Sequence, residues 1–329
     1  MGAIIEVQDL RKTFQIAKRK DGPLGALRSL FSREYTTKLA VGGISFAIQP
    51  GELVGYIGPN GAGKSTTIKM LTGILVPTSG RISVRGLVPY EKRVENARQI
   101  GVVFGQRTQL WWDLPAVESF ELLQHIYKVP KARYEANMAR FKDLLGLDEF
   151  LQTPVRQLSL GQRMRADLAA ALLHDPEIVY LDEPTIGLDV VAKEKIRLFI
   201  KEINRERGVT VILTTHDMQD IEKITERMIL IDKGLMVYDG SVAQIKERFG
   251  KSRTLVVDLE SNGHGGHLEI PGAEQMKHEG SRFWLKFNRD EVSASELIAR
   301  VSARYGIRDL TVEEPEIEGI ISRIYQEGL

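Results

Sequence analysis

The chain has 329 residues, 43% hydrophobic and 27% charged, which are the proportions of a folded globular protein and exclude bulk disorder. A formal net charge of +1 sets up no field for nucleic acid, so no nucleic-acid partner is expected, and the absence of cysteine excludes disulfide frameworks and thiolate metal sites. No apolar run approaches the ~18 residues of a bilayer span, and the start MGAIIEVQDLRK carries acidic residues where a signal peptide is apolar. Any membrane part of its function is therefore expected on another polypeptide.

In chain order, AIIEV (3–7) and ISFAI (44–48) read as strands. Between them an excursion, 17–38, holds six basic and two acidic residues, with Leu24, Leu27, Leu30 and Phe31 at helical spacing. It reads as a surface excursion packing its short apolar stripe on its own domain. From Glu52 the pattern is strand, glycine loop, helix. RISVRG and IGVVF follow as strands, and helical sequence occupies about 116–174. Apolar strands return at 177–184, 209–216 and 227–234 with helices between them. Apolar strands alternating with helices predict a mostly parallel sheet covered on both faces. After Phe249 the composition shifts: RTLVVDLES, HLEIPG and SRFWLKF read as strands, SASELIARVSARYG as a helix, DLTVEE as a strand and PEIEGIISRIYQ as a helix. Two domains follow, an α/β domain over 1–249 with a helical subdomain at about 106–176, and a small α+β module over 250–329.

The chemistry concentrates in GPNGAGKST, the residues Gly58, Pro59, Asn60, Gly61, Ala62, Gly63, Lys64, Ser65 and Thr66. A glycine, four residues and then Gly-Lys-Ser, preceded by an apolar strand and followed by a helix, is the pattern of a loop whose backbone N–H groups cradle a phosphate. Lys64 supplies a charge for the β and γ phosphates, and the Ser65 hydroxyl a ligand for Mg²⁺. IVYLDEP ends an apolar strand in Asp182 and Glu183, where parallel sheets bind ligands. In that context Asp182 would hold Mg²⁺ through water, and Glu183 would orient or deprotonate the attacking water.

These motifs, with those that follow them in order, resemble the ATP-binding subunits of ABC transporters over roughly residues 3–245. Ser159, Leu160, Gly161 and Gln162, in LSLGQ, are similar to the family's signature LSGGQ, with Leu160 in place of a glycine. Ser159 can cap the following helix, whose N-terminus then faces a phosphate. The resemblance implies that this phosphate belongs to ATP on a partner subunit, and that two chains sandwich two ATP molecules. It also implies that Gln106 is the Q-loop glutamine that senses Mg²⁺ and water (Gln109 being the alternative), that Asp189 in IGLD is the D-loop acid, and that His216 is the switch residue that contacts the γ-phosphate. It implies an aromatic platform for adenine; Tyr35 is the choice, with Phe14 as runner-up. The expectation is an ATPase with ATP and Mg²⁺ as cofactors, a P-loop NTPase core, a helical signature subdomain and an exporter-type C-terminal module. It would work as a homodimer or heterodimer on a separately encoded integral-membrane permease, cytoplasmic and peripheral on the inner face of the cell membrane. The other reading is a soluble ABC-type ATPase acting on ribosome or DNA; a single phosphate loop, no sustained heptads and no cysteine disfavour it.

Two smaller expectations complete the reading. Of Trp111 and Trp112, one should face the core and one the groove for a membrane subunit. His264 and His267, in a glycine-rich loop without cysteine, are not expected to bind metal.

Overall fold

The computed structural model describes residues 2–17, 35–105, 107–260 and 266–327; most of the basic excursion, Gln106 and His264 lie outside them. The chain forms two compact units, Met1–Asp239 and Gly240–Leu329.

In the first unit, β1 (Ile5–Ala17) lies antiparallel between β2 (Tyr35–Ile48) and β4 (Ser79–Val84). The strands expected at 3–7 and 44–48 are the buried ends of these longer strands. Bulges hid the rest: the register of β1 shifts between Val7 and Leu10, where Asp9 has φ 43°, and beyond Leu10 its described side chains are exposed or half-buried.

The second sheet runs β5 (Ile100–Phe104), β6 (Ile178–Asp182), β7 (Thr210–Thr214), β3 (Leu53–Ile57), β8 (Arg227–Asp232) and β9 (Leu235–Ser241). Neighbours from β5 to β8 pair in parallel. Their central residues, such as Val54, Val179, Leu181 and Leu213, are fully buried, as continuous apolar runs require when both faces are covered. Each such side chain contributes about 1.5–3 kcal/mol relative to exposure. Strand β9 is an addition to the expected set, reached by the two-residue turn Lys233-Gly234 with both φ positive, a hairpin geometry that KG between two apolar runs allows.

The helices of this unit are α1 (Lys64–Leu71), α2 (Arg93–Ala97), α3 (Ala116–Tyr127), α4 (Lys131–Leu145), α5 (Leu160–Leu172), α6 (Val190–Arg207) and α7 (Met218–Ile224). Helices α3, α4 and α5 form the helical region that the periodicity predicted. Phe141 of α4 meets Phe199 of α6 edge-on, ring centroids 6.1 Å apart.

The second unit opens with α8 (Val242–Phe249), capped reciprocally by Ser241 and Gln244. An antiparallel sheet follows in the order β11 (Ala273–Glu279), β12 (Arg282–Asn288), β10 (Ser252–Leu259), β13 (Ile307–Glu313). Helix α9 (Ala294–Ser302) covers one face, with Leu255, Leu285, Phe287, Leu297 and Val301 in the core between them. Helix α10 (Ile317–Glu327) buries Ile317, Ile320, Ile321 and Ile324, as its spacing predicted. One expected strand, HLEIPG, is not a strand. Its Leu268 and Ile270 are buried, but Pro271 and Gly272, with φ +87°, turn the chain, and the side chain of Gln275 takes the place of a ladder by bonding Leu268 N and Gly266 O.

Candidate functional site

Strand β3 ends at Ile57, and the glycine loop leads directly into α1. A Cβ on Gly58 would lie 2.4 Å from the Ile231 carbonyl oxygen, and Gly63, at φ +109°, would place one 2.4 Å from that of Ala40, so neither position admits a side chain. Gly63 caps α1 without a side-chain bond, which leaves the first-turn N–H groups open to an anion. Lys64 is buried, its Nζ donating to the carbonyls of Gly58 at 2.6 Å and Pro59 at 3.3 Å. Burial holds its ammonium below the ordinary lysine range, while the carboxylates of Glu183 and Asp182 push it back up.

The carboxyl ends of β5, β6 and β7 line up Phe104, Asp182 and Thr214 in register. Asp182 accepts from Ser65 Oγ at 3.0 Å through Oδ2, and from Thr214 Oγ1 through Oδ1. A hydroxyl and a carboxylate are hard oxygen donors, and together with phosphate they fit Mg²⁺, which takes few protein ligands. Among the described residues no group of three or more His, Cys, Asp or Glu side chains could hold a metal by itself; His267 lies exposed beside Glu269 at 3.6 Å. Glu183 follows Asp182 with φ 59°, a left-handed conformation costly for a non-glycine residue, and its carboxylate meets His216 Nδ1. Gly105 N donates to the Asp182 carbonyl at 2.7 Å, so the chain leaves β5 at the edge of this cluster.

A cavity of about 1020 Å³ joins Lys64, Ser65, Glu183 and His216 to the strand residues Phe14 and Lys38. Tyr35 is absent from its lining. It pairs with Ala17 further along the hairpin, 54% exposed, whereas Phe14 pairs with Lys38 beside the loop. The structure thus brings the runner-up aromatic, not the first choice, to the phosphate loop.

The signature lies elsewhere in the unit. Ser159 Oγ accepts from Gln162 N at 3.2 Å, and Gln162 Oε1 from Ser159 N at 2.9 Å, a reciprocal cap at the start of α5. Leu160 approaches Gly187, where a Cβ would lie 3.0 Å from its Cδ2. With Asp189, whose Oδ1 caps α6 through Ala192 N at 2.8 Å, these residues line a separate cavity of about 420 Å³.

Past residue 106, Thr108 Oγ1 and Gln109 N both bond Asp167 of α5, at 2.8 and 3.1 Å. Asp167 is buried, and that burial pushes its carboxyl up to about 6. Trp111 and Trp112 are both exposed, at 38% and 50%, against the expectation of one inward; Trp112 lies 5.6 Å from the Arg163 guanidinium. Sequence reasoning missed Thr214 and Asp167. A hydroxyl ending the apolar run VTVILTT was a signal for the first, while an acid inside a helix gave none for the second.

Residues 41–186 match the family model described as ABC transporter. The chain is 30% identical over 292 residues to the linearmycin resistance ATP-binding protein LnrL of Bacillus subtilis (strain 168), covering 87% of this chain and 93% of that one. It is 36% identical over 287 residues to the Nod factor export ATP-binding protein I of Burkholderia pseudomallei (strain 1710b), covering 86% and 92%. Its fold is similar to the dimeric post-hydrolysis structure of the ATP-binding cassette MJ0796 bound to ADP and Pi, with a TM-score of 0.59 and 28% identity over 72% of this chain and 98% of that one. With its glycine loop, its carboxylate pair and its capped signature helix in one α/β unit, the chain belongs to the ABC transporter family, as an ATP-binding ATPase.

Proposed function

We propose that the chain powers export: two ATP-binding chains, identical or related, close head to tail on two ATP molecules and drive a separately encoded integral-membrane permease. The observation that carries the hydrolytic part is the convergence of Lys64, Ser65, Glu183 and His216 on one cavity, with Asp182 bonded to Ser65 at its edge. Phe14 rather than Tyr35 stacks the adenine, because Phe14 lines that cavity. The loop N–H groups and Lys64 hold the phosphates, and Lys64 exchanges its bonds to the Gly58 and Pro59 carbonyls for phosphate oxygens. Ser65 and Asp182 would hold Mg²⁺, with Gln106 as a further contact; the bound ion supplies neutralisation of charge developing on the phosphate oxygens. Glu183 orients the attacking water and takes its proton, and His216 positions both Glu183 and the γ-phosphate.

Export is supported by the reach of the alignments. They extend over 287 residues or more, while the first unit holds residues 1–239, so the likeness to a protein named for export and to one named for resistance continues into the C-terminal unit. No helix among the described residues is long and apolar enough to cross a membrane, which leaves the path itself to the permease. The chain then sits at the cytoplasmic face of the membrane, with the exposed Trp111 and Trp112 available to the permease.

The test is steady-state ATP hydrolysis by the parent and Glu183→Gln, alongside nucleotide binding. The expected result is at least a hundredfold lower turnover in the variant with ATP affinity retained. Hydrolysis by Glu183→Gln at the parent rate would remove Glu183 from its role.

A further inference from the structure

Behind the catalytic loops lies a buried polar cluster to which the hydrolytic reading assigns no part. Asp220 of α7 has no solvent exposure, and Arg197 of α6 is 4% exposed. Arg197 Nε donates to Asp220 Oδ1 at 2.6 Å, and a second guanidinium nitrogen lies 2.5 Å from the same oxygen. Asp220 Oδ2 accepts from the hydroxyls of Thr185 and of Thr215, the latter at 3.3 Å; both threonines are buried.

The chain positions of these partners give the cluster its meaning. Thr185 comes two residues after Glu183, and Thr215 immediately before His216. On the other side of His216, Asp217 receives Lys193 Nζ at 2.6 Å and lies 3.8 Å from Arg197, while its own N–H bonds Thr215 Oγ1 at 2.9 Å. Lys193 and Arg197 stand one turn apart on α6, the helix that Asp189 caps. One buried carboxylate is thus shared by the loop bearing Glu183, the loop bearing His216 and the helix leaving the D-loop.

A buried ion pair is a poor source of stability, since well-packed apolar residues of similar volume often do as well. Its distinctive property is geometric: with both oxygens committed to particular hydroxyls and to a planar guanidinium, Asp220 fixes two loops in one arrangement. We propose that the Arg197–Asp220 pair is a positioning device for ATP hydrolysis, holding Glu183 and His216 in register and tying both to α6. The inference rests on the hydrolytic reading of Glu183 and His216. It makes neither Arg197 nor Asp220 a catalytic residue; they act through the loops they hold.

The experiment compares full-length parent, Asp220→Asn, Arg197→Met, Arg197→Lys and Thr185→Val, with Glu183→Gln as the inactive control. ATP binding is measured by equilibrium titration, and turnover is normalised to folded protein by circular dichroism. The expected result is kcat lower by roughly 10- to 100-fold in Asp220→Asn and Arg197→Met, since displacement by about an ångström has that effect, with ATP affinity within about twofold of the parent. Arg197→Lys should recover part of kcat, because an ammonium can bond Asp220 but cannot also span to Asp217. Thr185→Val, which removes one hydroxyl and leaves the pair, should lower kcat without unfolding the chain, so the proposal stays open to refutation even if the charge variants misfold. Parent-like kcat in folded Thr185→Val, or in either charge variant that folds, overturns it. So does a loss of binding and turnover in equal proportion, which marks a merely structural pair. A parent no faster than Glu183→Gln removes the hydrolytic reading, and the proposal with it.

Discussion

Lys64 and Asp167 are both charges withdrawn from water, and they are held there in opposite ways. Lys64 has two loop carbonyls and two nearby carboxylates, and its site is open to phosphate. Asp167 has a hydroxyl and a backbone N–H as its hydrogen-bond partners, and desolvation dominates, leaving its carboxyl near 6 against an ordinary 3.8. A folded-state pKa above the unfolded one means that the folded chain binds this proton more tightly. The stabilisation is complete below the unfolded value and is lost as pH rises through about 6. Near pH 7 the ionised Asp167 therefore costs on the order of 2–3 kcal/mol. Asp167→Asn keeps an oxygen for Thr108 without the charge. In urea denaturation it should be more stable than the parent near pH 8, by about 1–3 kcal/mol, and the gap should narrow as pH falls through about 6 and close only below the unfolded value of 3.8. A gap independent of pH would show that desolvation of this carboxyl is not what sets the difference. Much of the site is legible at this scale. Spacing alone identifies the glycine loop, because a phosphate admits few backbones, and Asp182 and Glu183 end an apolar run. Which aromatic lines the phosphate cavity is not legible: Phe14 and Tyr35 sit on paired strands, and only the register, Phe14 with Lys38 and Ala17 with Tyr35, decides which one reaches the loop.

Element boundaries follow the same logic. The strands buried on both faces, β3, β6, β7 and β8, are readable as unbroken apolar runs. Strands with one wet face or a bulge are not, hence the shortened reading of β1 and β2 and the missing β9. The HLEIPG segment shows the converse error, since alternation of buried Leu268 and Ile270 mimics a strand while Pro271 and a side-chain clamp by Gln275 supply a different backbone partner. In the C-terminal unit β12 is an interior strand of its sheet, and its Leu285 is fully buried and pairs with Leu255 of β10 and with Gln275 of β11. Leu285→Ala removes contacts and leaves a cavity between sheet and α9, at a cost of about 2–5 kcal/mol. Thermal unfolding followed by calorimetry should show a transition moved to lower temperature, with ATP affinity at 20 °C or so unchanged, because no residue of this unit lines the phosphate cavity. A parallel loss of ATP affinity would mean that the two units are energetically coupled.

For the molecule as a whole, the decisive feature is that the two surfaces the proposed function assigns to ATP are separate cavities within one chain. The cavity at Lys64 and the cavity at Ser159 share no lining residue, and Asp189 is occupied capping its own helix. On the proposed function, the signature helix would act against the nucleotide of another chain, and a head-to-tail pair of chains would satisfy both cavities twice, closing the symmetry. The sequence could suggest this arrangement only through resemblance, because spacing along a chain does not say whether two motifs converge in space. The consequence is measurable by light scattering. Glu183→Gln with MgATP should move from the mass of one chain, 37.0 kDa, toward twice that, and ADP should not produce the shift. Replacing Ser159 by Phe in that background should abolish the dimer while leaving ATP bound to the monomer, since the bulky ring blocks the partner's phosphate without touching the chain's own loop. Dimer formation that persists in Ser159→Phe, or that occurs equally with ADP, would place the contact somewhere other than across the nucleotide.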